Sequence, residues 1–194
     1  MHVSFIKYIP LFELPVLILM VIVRAVILRR HGIRAFVFGV TDKSDFLIVP
    51  VILFLFYAFL AAVFDWPFPR FLKIIFWKND TVIWPAIILC TLSLVWFAAT
   101  LKTFGISFRV GIDTGTDNKL ITGGTFAISR NPVYVGFISF FTGVFIAWPA
   151  VTALVFLVLF AAAIHRQVIR EEKFLLKHYG QEYEDYCKKT RRYL

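Results

Sequence analysis

The chain has 194 residues, 60% hydrophobic and 18% aromatic, with a mean hydropathy of +0.79. An average soluble domain is about 45–50% apolar, and one of this size hides only about 70% of the surface its unfolded chain exposes, so 23 phenylalanines do not fit a soluble fold. The same arithmetic excludes disorder, collagen, a coiled coil and, with two cysteines, a disulfide scaffold; an all-α polytopic membrane protein remains. A formal charge of +9 in such a chain sets orientation and meets anionic lipid heads rather than nucleic acid.

A bilayer core of about 30 Å needs about 20 apolar residues in a helix. The first such run, Leu11 to Leu28, carries Glu13, Pro15 and Arg24 and lacks a small-residue cleavage site after it, so it reads as a retained anchor. Glu13 and Arg24 stand eleven residues apart, which puts both on one side of that helix. The second run, Phe46 to Phe64, has no charge. The third, Val82 to Leu101, has Trp84 near one end and Trp96 near the other, as interfacial aromatics are placed.

From Val133 to Ile164 there are 32 residues without a formal charge. One helix of that length would be about 48 Å long, too long for an ordinary bilayer. Trp148-Pro149 in its middle supplies a break, since proline lacks a donor and pushes its predecessor out of the helical region. The sequence therefore predicts a hairpin of two short spans, Val133 to Ala147 and Ala150 to Ile164, and five membrane helices in all. The chain reads as one integral membrane domain over 1–194, with three spans in 1–101 and a loop, hairpin and tail in 102–194.

With five spans the termini lie on opposite sides. The side holding the 29–45 loop, the 102–132 loop and the tail after His165 collects 16 Lys and Arg; the other holds Lys7, Arg70, Lys73 and Lys78. Basic residues accumulate inside, so the C-terminus is expected in the cytoplasm. In the tail Val168, Glu172, Leu175, Leu176 and Tyr179 share a helical face, Gly180 ends that helix, and a second helix starts at Gln181. Both are expected to lie on the membrane or against the loop.

Two segments flank the hairpin on the same side: Leu120 to Tyr134 before it and Arg170 to Tyr186 after it. Because the hairpin folds the chain back, these segments become neighbours. Asn131-Pro132 fits a helix start, Asn as N-cap and Pro at the first helical position. A helix N-terminus there, with Arg130 beside it, also suits a carboxylate or phosphate. Glu171 and Glu172 read equally as a solvated face or as acids turned to a cavity, where Glu171 could accept from a ligand ammonium or ribose. No dinucleotide, P-loop, nucleophile-elbow or zincin pattern occurs, no metal-ligand spacing such as CxxC is present, and no side chain stands out as a catalytic base. With no acidic or basic partner in other spans for Glu13 and Arg24, a transporter reading is weak.

Leu120 to Gly136, taken with Glu171-Glu172 and Gly180-Gln-Glu-Tyr183, resembles the isoprenylcysteine carboxyl methyltransferase and phospholipid methyltransferase family of integral membrane enzymes. The resemblance covers about the last 95 residues, and its pieces recur in order with a hairpin-sized gap. It implies methyl transfer from S-adenosylmethionine to a lipidic or prenylated acceptor. It further implies that the cofactor is held by Leu120, Ile121, Phe126, Asn131, Pro132, Val133, Tyr134 and Glu171, and that Arg166, Gln167 and Arg170 lie on the substrate side. Asn131 stands where the eukaryotic carboxyl methyltransferases have His, and Phe126 where they have Tyr, so the acceptor's identity does not carry over. An alternative is a membrane enzyme similar to the sterol reductases, taking NADPH; another is a non-catalytic scaffold or small transporter. Nothing in the sequence calls for an obligate protein partner.

Overall fold

A computed structural model describes residues 9–30, 48–63, 66–105 and 120–194. The described residues form α1 (Ile9–Arg30), α2 (Ile48–Val63), α3 (Ile83–Phe104), α4 (Pro132–Ala147), α5 (Val151–Tyr179) and α6 (Gln181–Lys189), with 3-10 turns at Arg70–Lys73, Asp80–Val82 and Gly124–Ala127. No named strand occurs among them, in agreement with the all-α expectation. The expected spans beginning at Leu11, Phe46 and Val82 fall on α1, α2 and α3. Most of the 29–45 loop and most of the 102–119 stretch lie outside the described residues.

The helix break falls where Trp148-Pro149 places it: α4 ends at Ala147 and α5 starts at Val151. One boundary differs. The expected span ending at Ile164 and the expected tail helix are a single 29-residue helix, α5, about 43 Å long at 1.5 Å per residue. The physical reason is local: no Gly or Pro interrupts the chain between Ala150 and Gly180, so the helix leaves the apolar zone without breaking. It stops at Gly180, whose φ of +52° and ψ of −123° suit a residue without a Cβ. By length and composition α3 and α5 can each cross a membrane, while α4 is a shorter apolar helix.

Helices α3 and α4 make the most extensive pairing, because glycines on α4 let the two backbones close up. A Cβ on Gly143 would run into Cys90 Sγ and stand 3.0 Å from the Ala86 carbonyl oxygen. Between them and α5 lies an aromatic core. Phe141 meets Phe156 and Phe160 with ring centroids 4.8 Å apart in both pairs, and Phe97 meets Phe137 at 4.9 Å. These are the separations at which tilted and edge-to-face rings attract.

The hairpin's closed end is held by the segment before α3. Phe76 N–H donates to the Pro149 carbonyl (2.8 Å), Val151 N–H to Ile74 (2.9 Å) and Thr152 Oγ1 to Leu72 (2.7 Å). The backbone groups that Pro149 and the start of α5 leave without helical partners are satisfied there. The last turns of α2 are tied to the start of the 66–82 stretch, Trp66 N–H donating to the Ala61 carbonyl (3.1 Å) and the Tyr57 hydroxyl to that of Pro67 (2.8 Å), and α2 packs on α5.

Candidate functional site

At the hairpin's open end the chain before α4 and the chain after α5's apolar part meet, as the fold-back requires. The start of α4 is fixed from two sides. Trp96 on α3 donates its indole N–H to the Pro132 carbonyl (2.7 Å), so this half-buried tryptophan ties two helices together. Ser129 Oγ accepts from the Asn131 N–H (3.1 Å). Asn131 is the N-cap residue by position and Pro132 the first helical residue, but the asparagine side chain makes no capping bond. It turns instead to the tail, donating from Nδ2 to Glu172 Oε1 and to the Arg192 carbonyl, each at 3.1 Å.

Glu172 is the hub of that junction and is buried. Arg130 reaches Oε1 through Nε (3.2 Å) and Nη2 (3.1 Å), and Arg192 reaches Oε2 through Nε and Nη2, both at 2.9 Å. Arg130 Nη1 donates further to the carbonyls of Thr190 (2.8 Å) and Cys187 (3.2 Å). One carboxylate thus receives the side-on fork of two guanidiniums, the strong, oriented form of ion pair. The expectation that Arg130 waits beside the α4 N-terminus for a ligand anion is corrected here: its guanidinium is bound to Glu172 and to the carbonyls that end α6. Glu172 likewise belongs to the interior and not to a solvated face. Arg192, which the sequence offers only as one more tail charge, completes the clamp.

The C-terminal residues lie across this junction. Arg130 N–H donates to the Arg191 carbonyl (2.9 Å) and Ser129 Oγ to that of Arg192 (3.3 Å), so Ser129 and Arg191 form a short parallel bridge. Tyr186 on α6 donates to the Phe126 carbonyl at 2.6 Å. Of the two expected locations for the tail helices, α6 therefore takes the one against the loop. Tyr183 and Tyr186 are buried; burial pushes the Tyr186 hydroxyl up to about 12, and burial and then the Glu172 charge raise Tyr183 further. The hydrogen bond with Glu172 raises Arg192 above its ordinary value, so Arg192 stays charged at any physiological pH.

Glu171, one position earlier on α5, points elsewhere. Its Oε1 accepts from the Tyr134 hydroxyl at 2.6 Å and from Gln167 Nε2 at 2.8 Å, and Gln167 Oε1 accepts from Arg170 Nη1 at 3.4 Å. The structure thus brings Tyr134, Glu171, Gln167 and Arg170 into one half-buried polar line. Pro132 is buried at its base and Val133 half-buried beside it. Phe126 is buried with its ring edge-on to Phe104, centroids 4.9 Å apart, in the 3-10 turn just before this point. Leu120 and Ile121 are half-buried on the extended stretch leading into that turn and, being apolar, take no part in the polar line. Arg166 is exposed one turn before Arg170. Near the same end His165 Nδ1 lies 2.9 Å from the Tyr193 hydroxyl.

Sequence reasoning missed Trp96 as a tie to α4 and Arg192 as a partner of Glu172. The first carried a signal in Trp96's position about two turns inside the end of α3; the second carried none, since contacts between residues 172 and 192 depend on how α6 turns back. Among the described residues no group of three His, Cys, Asp or Glu is placed to hold a metal ion.

Nothing among curated proteins or among solved structures matches the chain. The family model described as phospholipid methyltransferase matches residues 81–182, a span that begins just before α3, contains the whole hairpin and ends in the first turn of α6. That span covers just over half of the chain and includes both sides of the Tyr134–Glu171 contact, and by it the chain belongs to the phospholipid methyltransferase family.

Proposed function

We propose that this chain is an integral membrane methyltransferase that uses S-adenosylmethionine and acts on a lipidic or prenylated acceptor at the cytoplasmic face. In this reading residues 1–194 form one membrane domain with five spans, α1 to α4 and the apolar part of α5, and with α6 and the C-terminus on the cytoplasmic side. Family membership and the two span-capable helices support it. So does the distribution of basic residues, 16 on the side of the tail.

The single observation that carries the reading is the 2.6 Å contact between Tyr134 and Glu171 across the hairpin's open end. When bound, S-adenosylmethionine supplies an electrophilic methyl group carried on a cationic sulfonium. The residues suit such a group. Glu171 offers a carboxylate complementary to a cation or to ribose hydroxyls, and Tyr134 and Gln167 fix where that carboxylate points. Asn131, Pro132 and Val133 set the first turn of α4 next to Tyr134, and Leu120, Ile121 and Phe126 supply apolar surface that excludes water from it. Gln167 and Arg170, with Arg166 one turn away, face the acceptor side. A pyrophosphate-bearing nicotinamide cofactor would need free cations here, and Arg130 is already committed to Glu172.

Calorimetry of the purified full-length protein tests the proposal. S-adenosylmethionine should bind saturably and NADPH should not, and Glu171→Gln, Tyr134→Phe and Asn131→Ala should each weaken the methyl donor at least tenfold. Saturable NADPH binding would favour a reductase, and binding of neither would leave a scaffold. Isotope-marked methyl donor added to membranes, followed by mass spectrometry of the lipid extract, would then identify the acceptor.

A further inference from the structure

The inner face of α1 is a stripe: Leu14, Leu17, Val21, Ala25 and Leu28 join the core, whereas Phe12, Val16, Leu19, Val23 and Ile27 point outward. α1 packs this stripe on α3 and α4. Arg24 lies within it, seven residues after Leu17 and four before Leu28, so its side chain enters the packed seam instead of the lipid. Its Nε and Nη2 are both buried and neither has a hydrogen-bond partner among the described residues. Those two atoms form the same side-on edge that Arg130 and Arg192 each present to a Glu172 oxygen.

Glu13 does not neutralise it. Eleven residues of helix separate the two by about 16 Å, and Glu13 Oε1 accepts instead from Thr91 Oγ1 on α3 at 2.9 Å. Glu13 and Arg24, although on one side of the helix, therefore do not pair. The Glu13–Thr91 bond also sets the level of Arg24. In the five-span arrangement proposed above, α1 runs parallel to α3, on which it packs. Arg24 then stands level with Lys102, and its side chain leans back toward the helix N-terminus, to the height of Thr100 and Leu101. Pro132, tied to Trp96, begins α4 at this height.

A guanidinium edge buried in a membrane protein with no counter-charge among the described residues is costly, and such residues mark ligand sites by default. We infer that Arg24 binds the oxyanion of the acceptor lipid, its Nε–Nη2 edge forking onto a phosphate or carboxylate oxygen pair while the acyl or prenyl chains lie along the outer faces of α1. This deepens the proposed function and rests on it for the word acceptor: the substrate class becomes an anionic amphiphile whose charged head sits beside the first turn of α4.

Thermal unfolding of full-length protein in neutral detergent, with added amphiphiles, tests it. Phosphatidylglycerol and oleate supply the two oxyanions on a lipid, diacylglycerol supplies chains without charge, and glycerol 3-phosphate supplies the anion without chains. The expected result is stabilisation of the wild type by at least one anionic lipid, with at least tenfold weaker apparent affinity for diacylglycerol and glycerol 3-phosphate. Arg24→Met should lose at least tenfold in that affinity and unfold no earlier than wild type in the absence of lipid, because it removes an uncompensated charge; Arg24→Lys, which keeps the charge but not the fork, should fall between. Equal response of wild type to phosphatidylglycerol, oleate and diacylglycerol, equal response to glycerol 3-phosphate, or an Arg24→Met variant that responds like wild type would each overturn the inference. Should S-adenosylmethionine fail to bind while the lipid response depends on Arg24, the methyltransferase reading fails and the oxyanion site stands.

Discussion

Glu172→Gln is the sharpest perturbation of the junction at the hairpin's open end. The substitution keeps the shape of the side chain and removes the charge that holds Arg130 and Arg192, whose side chains are 11% and 40% exposed, on a carboxylate that is itself 10% exposed. Leaving a buried partner without its counter-charge costs about 3–5 kcal/mol in general. The exposed Arg192 arm contributes less, about 0–1 kcal/mol, and Arg130 keeps two carbonyl acceptors, so about 2–3 kcal/mol is expected here. That energy falls on the contact between residues 129–131 and 190–192 and should appear as local opening of the tail. At about 1.4 kcal/mol per decade the opened population rises about 30- to 150-fold. Trypsin reads this directly, because Lys188, Lys189, Arg191 and Arg192 are cleavage sites whose rate follows the opened fraction when reclosing is fast. Cleavage of the Gln variant within threefold of wild type would refute the claim that Glu172 clamps the C-terminus.

Other expectations follow from the same contacts. Gly143→Ala should cost about 1–3 kcal/mol through overpacking against Cys90 and Ala86, and Cys90→Ala should recover part of it in a double variant, measured by thermal unfolding. Tyr186→Phe should cost about 1 kcal/mol by removing the bond to the Phe126 carbonyl. Because burial raises Tyr186 from an ordinary 10 to about 12, the neutral hydroxyl is the form that stabilises the fold. Its contribution is complete below pH 10 and is lost as pH rises through about 12, so trypsin susceptibility should climb in that window and climb less in the Phe variant. A reporter fused after Leu194 should read cytoplasmic, and a reading from the other side would refute the orientation.

How much of this was legible beforehand depends on the range of each interaction. The break at Trp148-Pro149, the start at Asn131-Pro132 and the stop at Gly180 are properties of a few adjacent residues, and each lies where the sequence puts it. The meeting of Tyr134 and Glu171 was legible because a hairpin with one break must return its ends to one place. The length of α5 was not, since a fall in hydropathy at His165 looks like a boundary although nothing there interrupts the backbone. The binding of Arg130 and Arg192 to Glu172 was not legible either. It requires the turn at Gly180 to carry α6 back onto residues 126–130, a path fixed by the fit of Tyr183 and Tyr186 and not by any local pattern.

Geometry sends the two acids that look alike in the sequence to different partners. Consecutive residues on a helix point about 100° apart. Glu172 therefore faces the junction, takes two guanidiniums and an amide, and is buried, while Glu171 faces Tyr134 and Gln167 and stays half-buried. An acid whose oxygens are filled by two arginines has little capacity for a ligand; Glu171, turned to a phenol and an amide at the hairpin's open end, is the one proposed to meet the methyl donor. The neutral variants should accordingly separate. Glu172→Gln should loosen the tail and affect the methyl donor only through that loosening, so that affinity recovers when the tail is tethered by a disulfide or other cross-link. Glu171→Gln should leave tryptic cleavage unchanged and lose the methyl donor irrecoverably. Identical behaviour of the two variants in both assays would mean that the pair acts as one patch, and the separation of clamp from ligand site would have to be abandoned.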